Sequence, residues 1–515
     1  MTESRTNKSL KNAKVSLIYY FFQLILSFFS RKAFFDYLGS EILGLNTTAS
    51  NLLGFLNLAE LGVSAAVGYF LYQPLYDKDY TKLNILVSIQ GWLYRKVAFI
   101  IISASIILML FFPLIFKKSP LPISYAYLTF GVLLFSAMQG YFFNYKQIVL
   151  YADQKNYKIQ QFTQGISILK TILQILFITF FPFPFFSWLT FEIIGSISTT
   201  LTLNYILKKE YPWLKTNISE GKKYIKKYPE VLKKTGQAFF HRIGGVILYE
   251  SSPLIIYSFS SLTTVALYGN YLVIIGKVGT LIGIVFKSTG AAIGNLVASK
   301  DSNNIMKVFW ELTDSRLCIT TITLICLYQL SNPFITLWLG KEYCLGYNFL
   351  LLFIALNSIN MTRQTVDSYI NAFGLFNDIW APIAESLLNL IFSITFGFFY
   401  GLNGVILGVL ISQIIMISLW KPFFLFIKGF KIKASSYFIP ITYRYSISII
   451  IFLLTSYIFS YLKLENIDNI YKLLYNSVII FFITSLVSSF FFYCFFKGFK
   501  DFILRIHIIL KNKFA

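Results

Sequence analysis

Cysteine, histidine and acidic residues are all scarce in this chain. Its 515 residues include four cysteines (Cys318, Cys326, Cys344, Cys494) and no CxxC pair, which excludes a disulfide scaffold. The two histidines, His241 and His507, share no metal-ligand spacing with each other or with the cysteines. No GxSxG nucleophile elbow occurs. The string nearest to a phosphate loop, 269–277, has six residues between its glycines where four are needed, and no Ser or Thr follows Lys277. The chain is therefore not read as an ATPase, and no cofactor is expected. Charged residues make up 13% of the chain, against about 25% in an ordinary soluble domain. Long polar loops are also missing, which argues against a membrane polysaccharide polymerase or glycosyltransferase with a catalytic domain outside the bilayer.

Apolar residues are abundant, at 56% of the chain, with 55 phenylalanines. A soluble fold of this length could not bury so much apolar surface. A membrane helix needs about 20 apolar residues. Hydropathy separates fourteen such runs: 15–35, 48–72, 97–116, 123–150, 162–181, 185–207, 237–259, 264–297, 312–335, 346–373, 379–400, 405–426, 439–462 and 473–496. The expected fold class is an all-α polytopic membrane protein of about fourteen transmembrane helices. The first fourteen residues are polar and basic, and the run from Val15 reaches Arg31 and Lys32 without a small-residue cleavage site. It is read as a retained first span.

The net charge of +23 would suggest nucleic acid in a soluble protein. Here the cations sit in short segments between apolar runs, where they set orientation instead. With the N-terminus inside, inside segments hold 30 Lys and Arg and outside segments hold 7. Both termini are expected in the cytoplasm, and no nucleic acid is expected as a partner. The longest polar segment, 208–236, carries nine lysines. It is read either as an amphipathic helix on the anionic inner leaflet or as a solvated linker. It divides a six-helix lobe, 1–207, from a second, 237–430, which is followed by two extra spans (431–496) and a basic tail (497–515). The lobes share polar residues at an offset of 224: Asn46 with Asn270, Ser64 with Ser288, Asp77 with Asp301. Two six-span halves of one orientation suit a parallel-repeat transporter, with substrate between them.

A charge at membrane depth is costly, so each one within an expected span is a candidate for function. These are Arg31, Glu60, Lys170, Glu192, Arg242, Glu250, Lys277, Lys287, Arg316, Arg363, Asp367 and Glu385. Lys277 and Lys287 lie deep in the eighth run, where a water-filled cavity wall explains them best. Arg242 and Glu250 are eight residues apart, within about 80° of one helix face; Glu250 either lines that cavity or neutralises Lys277. Arg363 and Asp367 have i,i+4 spacing and are read as a structural pair, as are Lys170 and Glu192 across the Phe181–Pro184 turn. Glu60 has no cation nearby in sequence and is a candidate carrier of a coupling proton, as is Glu250. Sodium coupling is the alternative.

The stretch 31–72, RKAFFDYLGSEILGLNTTASNLLGFLNLAELGVSAAVGYFLY, resembles the first two spans of bacterial polysaccharide repeat-unit flippases of the Wzx type, which read R..F...LG.E.LGLN followed by a LAELG-like core. Residues 268–299, the loop Leu337 to Tyr343 and Gly401-Leu402-Asn403-Gly404-Val405 extend the likeness in order along the chain. These flippases belong to the multidrug/oligosaccharidyl-lipid/polysaccharide exporter superfamily. The resemblance implies a V-shaped pair of six-span lobes with two additional C-terminal spans in the bacterial inner membrane. It implies transport of undecaprenyl-pyrophosphate-linked oligosaccharide for O-antigen or capsule, beside a polysaccharide polymerase and chain-length proteins. It also implies a cationic cavity for the pyrophosphate, with Arg31, Arg242, Lys277 and Lys287 as candidates. A multidrug exporter and a lipid II flippase are the alternatives within the superfamily.

Overall fold

The computed structural model describes residues 5–60, 62–153, 155–287, 293, 294, 296, 297, 301–375, 378, 380–464 and 467–514; within these, some side chains, among them those of 240–249 and 284–287, are not described. Every regular element among the described residues is helical. The chain divides into two compact units, Met1–Ala266 and Leu267–Ala515.

The first unit holds α1 (Arg5–Tyr37), α2 (Gly39–Leu56), α3 (Val63–Asp77), α4 (Tyr80–Leu110), α5 (Ile123–Phe142), α6 (Asn156–Phe180), α7 (Pro184–Glu210), α8 (Gly221–Lys227) and α9 (Pro229–Phe259). Helix α10 (Leu262–Lys287) begins here and continues into the second unit. Apolar side chains gain little by leaving lipid for each other, so helices in a bilayer rely on close approach and polar stitches. Both are present. Ser16 Oγ donates to Gln160 Oε1 at 2.7 Å and Gln23 Nε2 to Ser167 Oγ at 3.3 Å, which joins α1 to α6. Gly44 of α2 meets the start of α10 so closely that a Cβ there would lie 1.9 Å from the Leu262 carbonyl oxygen.

The basic segment 208–236 is folded against α4. Asn84 receives the Lys215 N–H at 2.9 Å and donates to the Trp213 carbonyl at 3.1 Å. Ser88 receives the Asn217 N–H at 2.9 Å. Gly221 is buried under Trp92, where a Cβ would come within 2.2 Å of the indole side chain. Ile225 and Val231 are buried while Lys222, Lys223, Lys226 and Lys227 are exposed. The segment thus contains a short amphipathic helix, as one sequence reading expected, and it is docked on α4 with a cationic outer face.

The second unit holds α11 (Ser302–Trp338), α12 (Tyr347–Thr362), α13 (Gln364–Ala372), α14 (Trp380–Gln413), α15 (Ser435–Tyr461), α16 (Ile470–Phe495) and α17 (Lys497–Phe514). Helix α14 reverses at Gly401 (φ 55°, ψ −133°), a conformation open to glycine. After the turn, Gly404 and Gly408 lie against the backbone of Phe396 and Ser393, where a Cβ would come within 1.9 and 2.4 Å. Two π-helical stretches follow, Ile414–Trp420 and Leu425–Phe430. One core joins α11, α15 and α16 through Leu317, Ile325, Ile451, Phe459, Ile480 and Phe492. A second gathers Phe309, Tyr369, Phe426 and Tyr437.

Among the described residues, eight stretches are long and apolar enough to cross a membrane. One of them, Trp380–Phe430, contains the Gly401 reversal and so covers two expected runs. Others of the fourteen fall on helices that are broken, as α2 and α3 are between Leu56 and Val63, and α12 and α13 at Arg363. The protein is a multi-pass, all-α membrane protein.

Candidate functional site

The second expected span is interrupted at its most polar point. Helix α2 ends at Leu56, a 3-10 turn covers Asn57–Glu60, and Gly62 takes φ 99° before α3 starts at Val63. That backbone is left-handed, where a side chain would be strained and glycine is not. The break turns Glu60 out of a continuous helix and into a cavity of about 630 Å³ within the first unit. Tyr94 of α4 donates its hydroxyl to Glu60 Oε1 at 2.6 Å, and Ser64 of α3 donates to the same oxygen at 3.0 Å. The Ser64 and Tyr94 hydroxyls also touch each other. Tyr141 of α5 donates to Asn57 Oδ1 at 3.1 Å, and its ring meets that of Tyr94 edge-on at 5.3 Å. Gln90, Tyr145, Gln147 and Tyr151 complete the polar lining. Tyr145 is held by a 2.9 Å contact between its hydroxyl and Thr216 Oγ1 of the basic segment.

The cavity therefore presents one carboxylate, amides, hydroxyls and aromatic faces. Glu60 Oε1 already accepts two hydrogen bonds, and a carboxylate offers about four acceptor sites. No group of three or more His, Cys, Asp or Glu suited to a metal occurs among the described residues. The carboxylate that looked isolated in sequence is anchored by groups 4 and 34 residues away. Hydropathy reads 48–72 as one run; Gly62, which takes the left-handed conformation, is the residue from which the break could have been read.

The remaining candidates are dispersed. Arg31 is partly buried, donates from Nη2 to the Ala266 carbonyl at 2.6 Å and lies over the Phe35 ring at 5.8 Å. Its guanidinium thus helps to seat the start of α10. Glu250 of α9 lies against Gly54 of α2, where a Cβ would come within 2.5 Å of its carboxyl group. Lys277 is partly buried on α10. The side chains of Arg242 and Lys287, and Ser288 altogether, lie outside the described residues. Lys170 Nζ meets both Glu192 oxygens at 2.8 Å, and Gln174 adds a 3.3 Å bond to the same carboxylate.

In the second unit, Arg363 Nε donates to Asp367 Oδ2 at 2.9 Å. Lys421, from between the two π-helical stretches, reaches Asp367 Oδ1 at 3.1 Å, so the pair is a triad with two cations. Arg316 is buried and donates to Thr365 Oγ1 at 3.1 Å; Glu385 is buried on α14. Two further buried acids were missing from the sequence candidates. Asp314 pairs with Arg444 of α15, and Glu311 pairs with Arg505 of α17 at 2.7 Å. Asp314 and Arg444 stand 130 residues apart, and no local spacing rule links them.

Two aspartates cap helices at corresponding places in the two units. Asp79 caps α4 by accepting from the Lys82 N–H, and Asp301 caps α11 by accepting from the Asn304 N–H. These two caps are 222 residues apart, whereas the offset read in the sequence is 224.

No protein-family model matches the chain, and no curated protein matches it. Among solved structures the chain is similar to the lipid II flippase MurJ in an inward closed conformation, with TM-score 0.63 and 20% identity over 92% of this chain and 98% of that one. It is also similar to an inward-facing multidrug resistance MATE family transporter of the MOP superfamily, with TM-score 0.58 and 14% identity over 77% of this chain and 93% of that one. At these identities the likeness shows the fold, which this chain shares with both of these proteins.

Proposed function

We propose that the protein is a flippase that moves undecaprenyl-pyrophosphate-linked oligosaccharide repeat units from the inner to the outer leaflet of a bacterial cytoplasmic membrane by alternating access. The observation that carries this reading is the cavity around Glu60. A sugar cannot cross hydrocarbon unaided, because its hydroxyls would lose their hydrogen bonds. A lining of tyrosine faces, amides and a carboxylate replaces those bonds and offers flat apolar surface to the sugar ring. The pyrophosphate needs cations, and Arg31, Arg242, Lys277 and Lys287 are proposed for it. With the cell interior negative, outward movement of an anion gains about 2.3 kcal/mol per charge per 100 mV. A proton on Glu60 or Glu250 would reset the carrier.

The test is reconstitution in vesicles with a fluorescent lipid-linked oligosaccharide, following its appearance in the opposite leaflet. Replacing Tyr94 and Tyr141 together by alanine is expected to slow flipping of the sugar-bearing lipid about tenfold, the loss of about 1.4 kcal/mol of head-group contact. Neutralising Arg242, Lys277 and Lys287 together is expected to abolish it. Unchanged rates in both variants would overturn the reading. A lipid II flippase is the second reading, supported by the extent of the likeness to MurJ, 92% of this chain against 77% for the MATE transporter. Competition between lipid II and a longer repeat-unit lipid in the same vesicles separates the two.

A further inference from the structure

The second unit carries two adjoining recesses that the proposed transport leaves unused. The first is a groove of about 770 Å³ between the start of α14 and the π-helical stretch Ile414–Trp420. All of its lining residues are apolar or aromatic, and Trp380 and Trp420 meet edge-on across it at 4.6 Å. Leu387, Leu419 and Phe423 are exposed along it. They belong to the stretch Trp380–Phe430, which is apolar enough to cross a membrane, so the groove opens toward hydrocarbon. The Gly401 reversal brings the start of α14 and the π-helical stretch back to the same end. Lys428, Lys431 and Lys433 are exposed just beyond that end.

The second recess is a pocket of about 180 Å³ whose lining includes Thr362, Arg363, Thr365, Ser418 and Tyr445. The Thr362 and Tyr445 hydroxyls touch at 2.9 Å. Leu419 and Phe438 line both recesses, so the polar pocket and the apolar groove adjoin. Along the π-helical turn, Ser418 lines the pocket, Trp420 lines the groove and Leu419 lies between them. Such wide turns recur at functional sites.

The charge around the pocket is positive. Arg363 and Lys421 both bond Asp367, and Arg316 bonds Thr365 at 3.1 Å within the field of the same carboxylate. Glu385 lies in the field of Arg363 and Lys421. Among the described residues, three cations therefore face two carboxyl groups. An excess charge at membrane depth is costly, and an anion in the pocket would offset it. At 180 Å³ the pocket is too small for the sugar chain proposed for the 630 Å³ cavity around Glu60, but it has room for a single phosphate. A phosphate beside an arginine, with an apolar channel leading away from it, matches the two ends of a phospholipid. We propose that the two recesses form a site for one anionic phospholipid of the surrounding bilayer, with its phosphate in the Arg363 pocket and an acyl chain in the Trp380–Phe423 groove.

Native mass spectrometry of the full-length protein tests this, with release from micelles that hold equal amounts of phosphatidylglycerol and phosphatidylcholine of the same chain length. The native protein is expected to retain phosphatidylglycerol in preference. Arg363→Gln should lower that preference about fivefold, the effect of about one cation. Ser418→Asp should lower it by a similar factor and leaves the Arg363–Asp367 bond in place, so it decides the matter if the Arg363 variant does not fold. Ala384→Trp should fill the groove and reduce retention of both lipids. Equal retention of the two lipids by the native protein would overturn the proposal. So would a preference that Ser418→Asp leaves unchanged, or retention that Ala384→Trp does not alter. Displacement of the bound phosphatidylglycerol by an equimolar undecaprenyl-pyrophosphate-linked oligosaccharide would overturn it too, because the site would then belong to the transported lipid.

Discussion

The hydrogen bond from Tyr94 to Glu60 is the most direct test of the cavity. Tyr94→Phe removes one hydroxyl and keeps the ring, including its edge contact with Tyr141. Hydrogen bonds to charged groups contribute about 1.5–3 kcal/mol in soluble proteins. Side-chain bonds within helical membrane proteins average about 0.6 kcal/mol and reach about 1.7. A carboxylate acceptor at 2.6 Å points toward the upper part of the membrane range. Ser64 continues to donate after the change, so the carboxylate is not orphaned and the cost stays moderate. Both considerations lead to a coupling of about 1 kcal/mol. The assay is a double-mutant cycle of Tyr94→Phe with Glu60→Ala, read by equilibrium unfolding of the purified protein in mixed micelles. Tyr141→Phe with Glu60→Ala is the control, because Tyr141 donates to Asn57 instead. A Tyr94 coupling below about 0.3 kcal/mol, or one no larger than the Tyr141 control, would refute the arrangement.

Three further outcomes follow from packing and charge. Gly44→Ala places a Cβ 1.9 Å from the Leu262 carbonyl and is expected to cost about 1–3 kcal/mol, whereas Gly131→Ala, with nothing within 4 Å, should leave the thermal midpoint unchanged or raised. Asp314→Ala leaves Arg444 without its buried partner and should cost about 3–5 kcal/mol, while Asp468→Ala, which breaks the exposed pair with Lys472, should not move the midpoint. At the end of α7, burial pushes the Glu210 carboxyl up, but Lys158 and Lys155 outweigh it and hold it below its ordinary value of 4.5. Its folded value is depressed, so its contribution to stability is present above pH 4.5 and is lost as pH falls through the folded value. Glu210→Gln should flatten the acid limb of the stability profile in that window, and an unchanged limb would remove the argument.

Much of the architecture was legible because hydropathy acts locally. A run of about 20 apolar residues has few options other than a helix in a bilayer, since each backbone polar group must be satisfied within its own segment. The Phe181–Pro184 turn is found where the prolines marked it, with α6 ending at Phe180 and α7 opening on Pro184. The reversal near Gly401 was likewise visible as a glycine pair between apolar runs. The i,i+4 spacing of Arg363 and Asp367 placed those two on one helical face, but Lys421 is 54 residues from Asp367 and no spacing rule points to it.

The amino-acid sequence alone determined the all-helical membrane class, the approximate runs and which residues carry charge into them, because these depend on composition over one helix length. Tertiary structure decided which charges have partners. Tyr94 finds Glu60 through the break at Gly62, Arg444 finds Asp314, and the basic segment finds Asn84 and Ser88. Each of these contacts joins residues remote in the chain, and their energies depend on distances of a few ångströms that only the packed helices set.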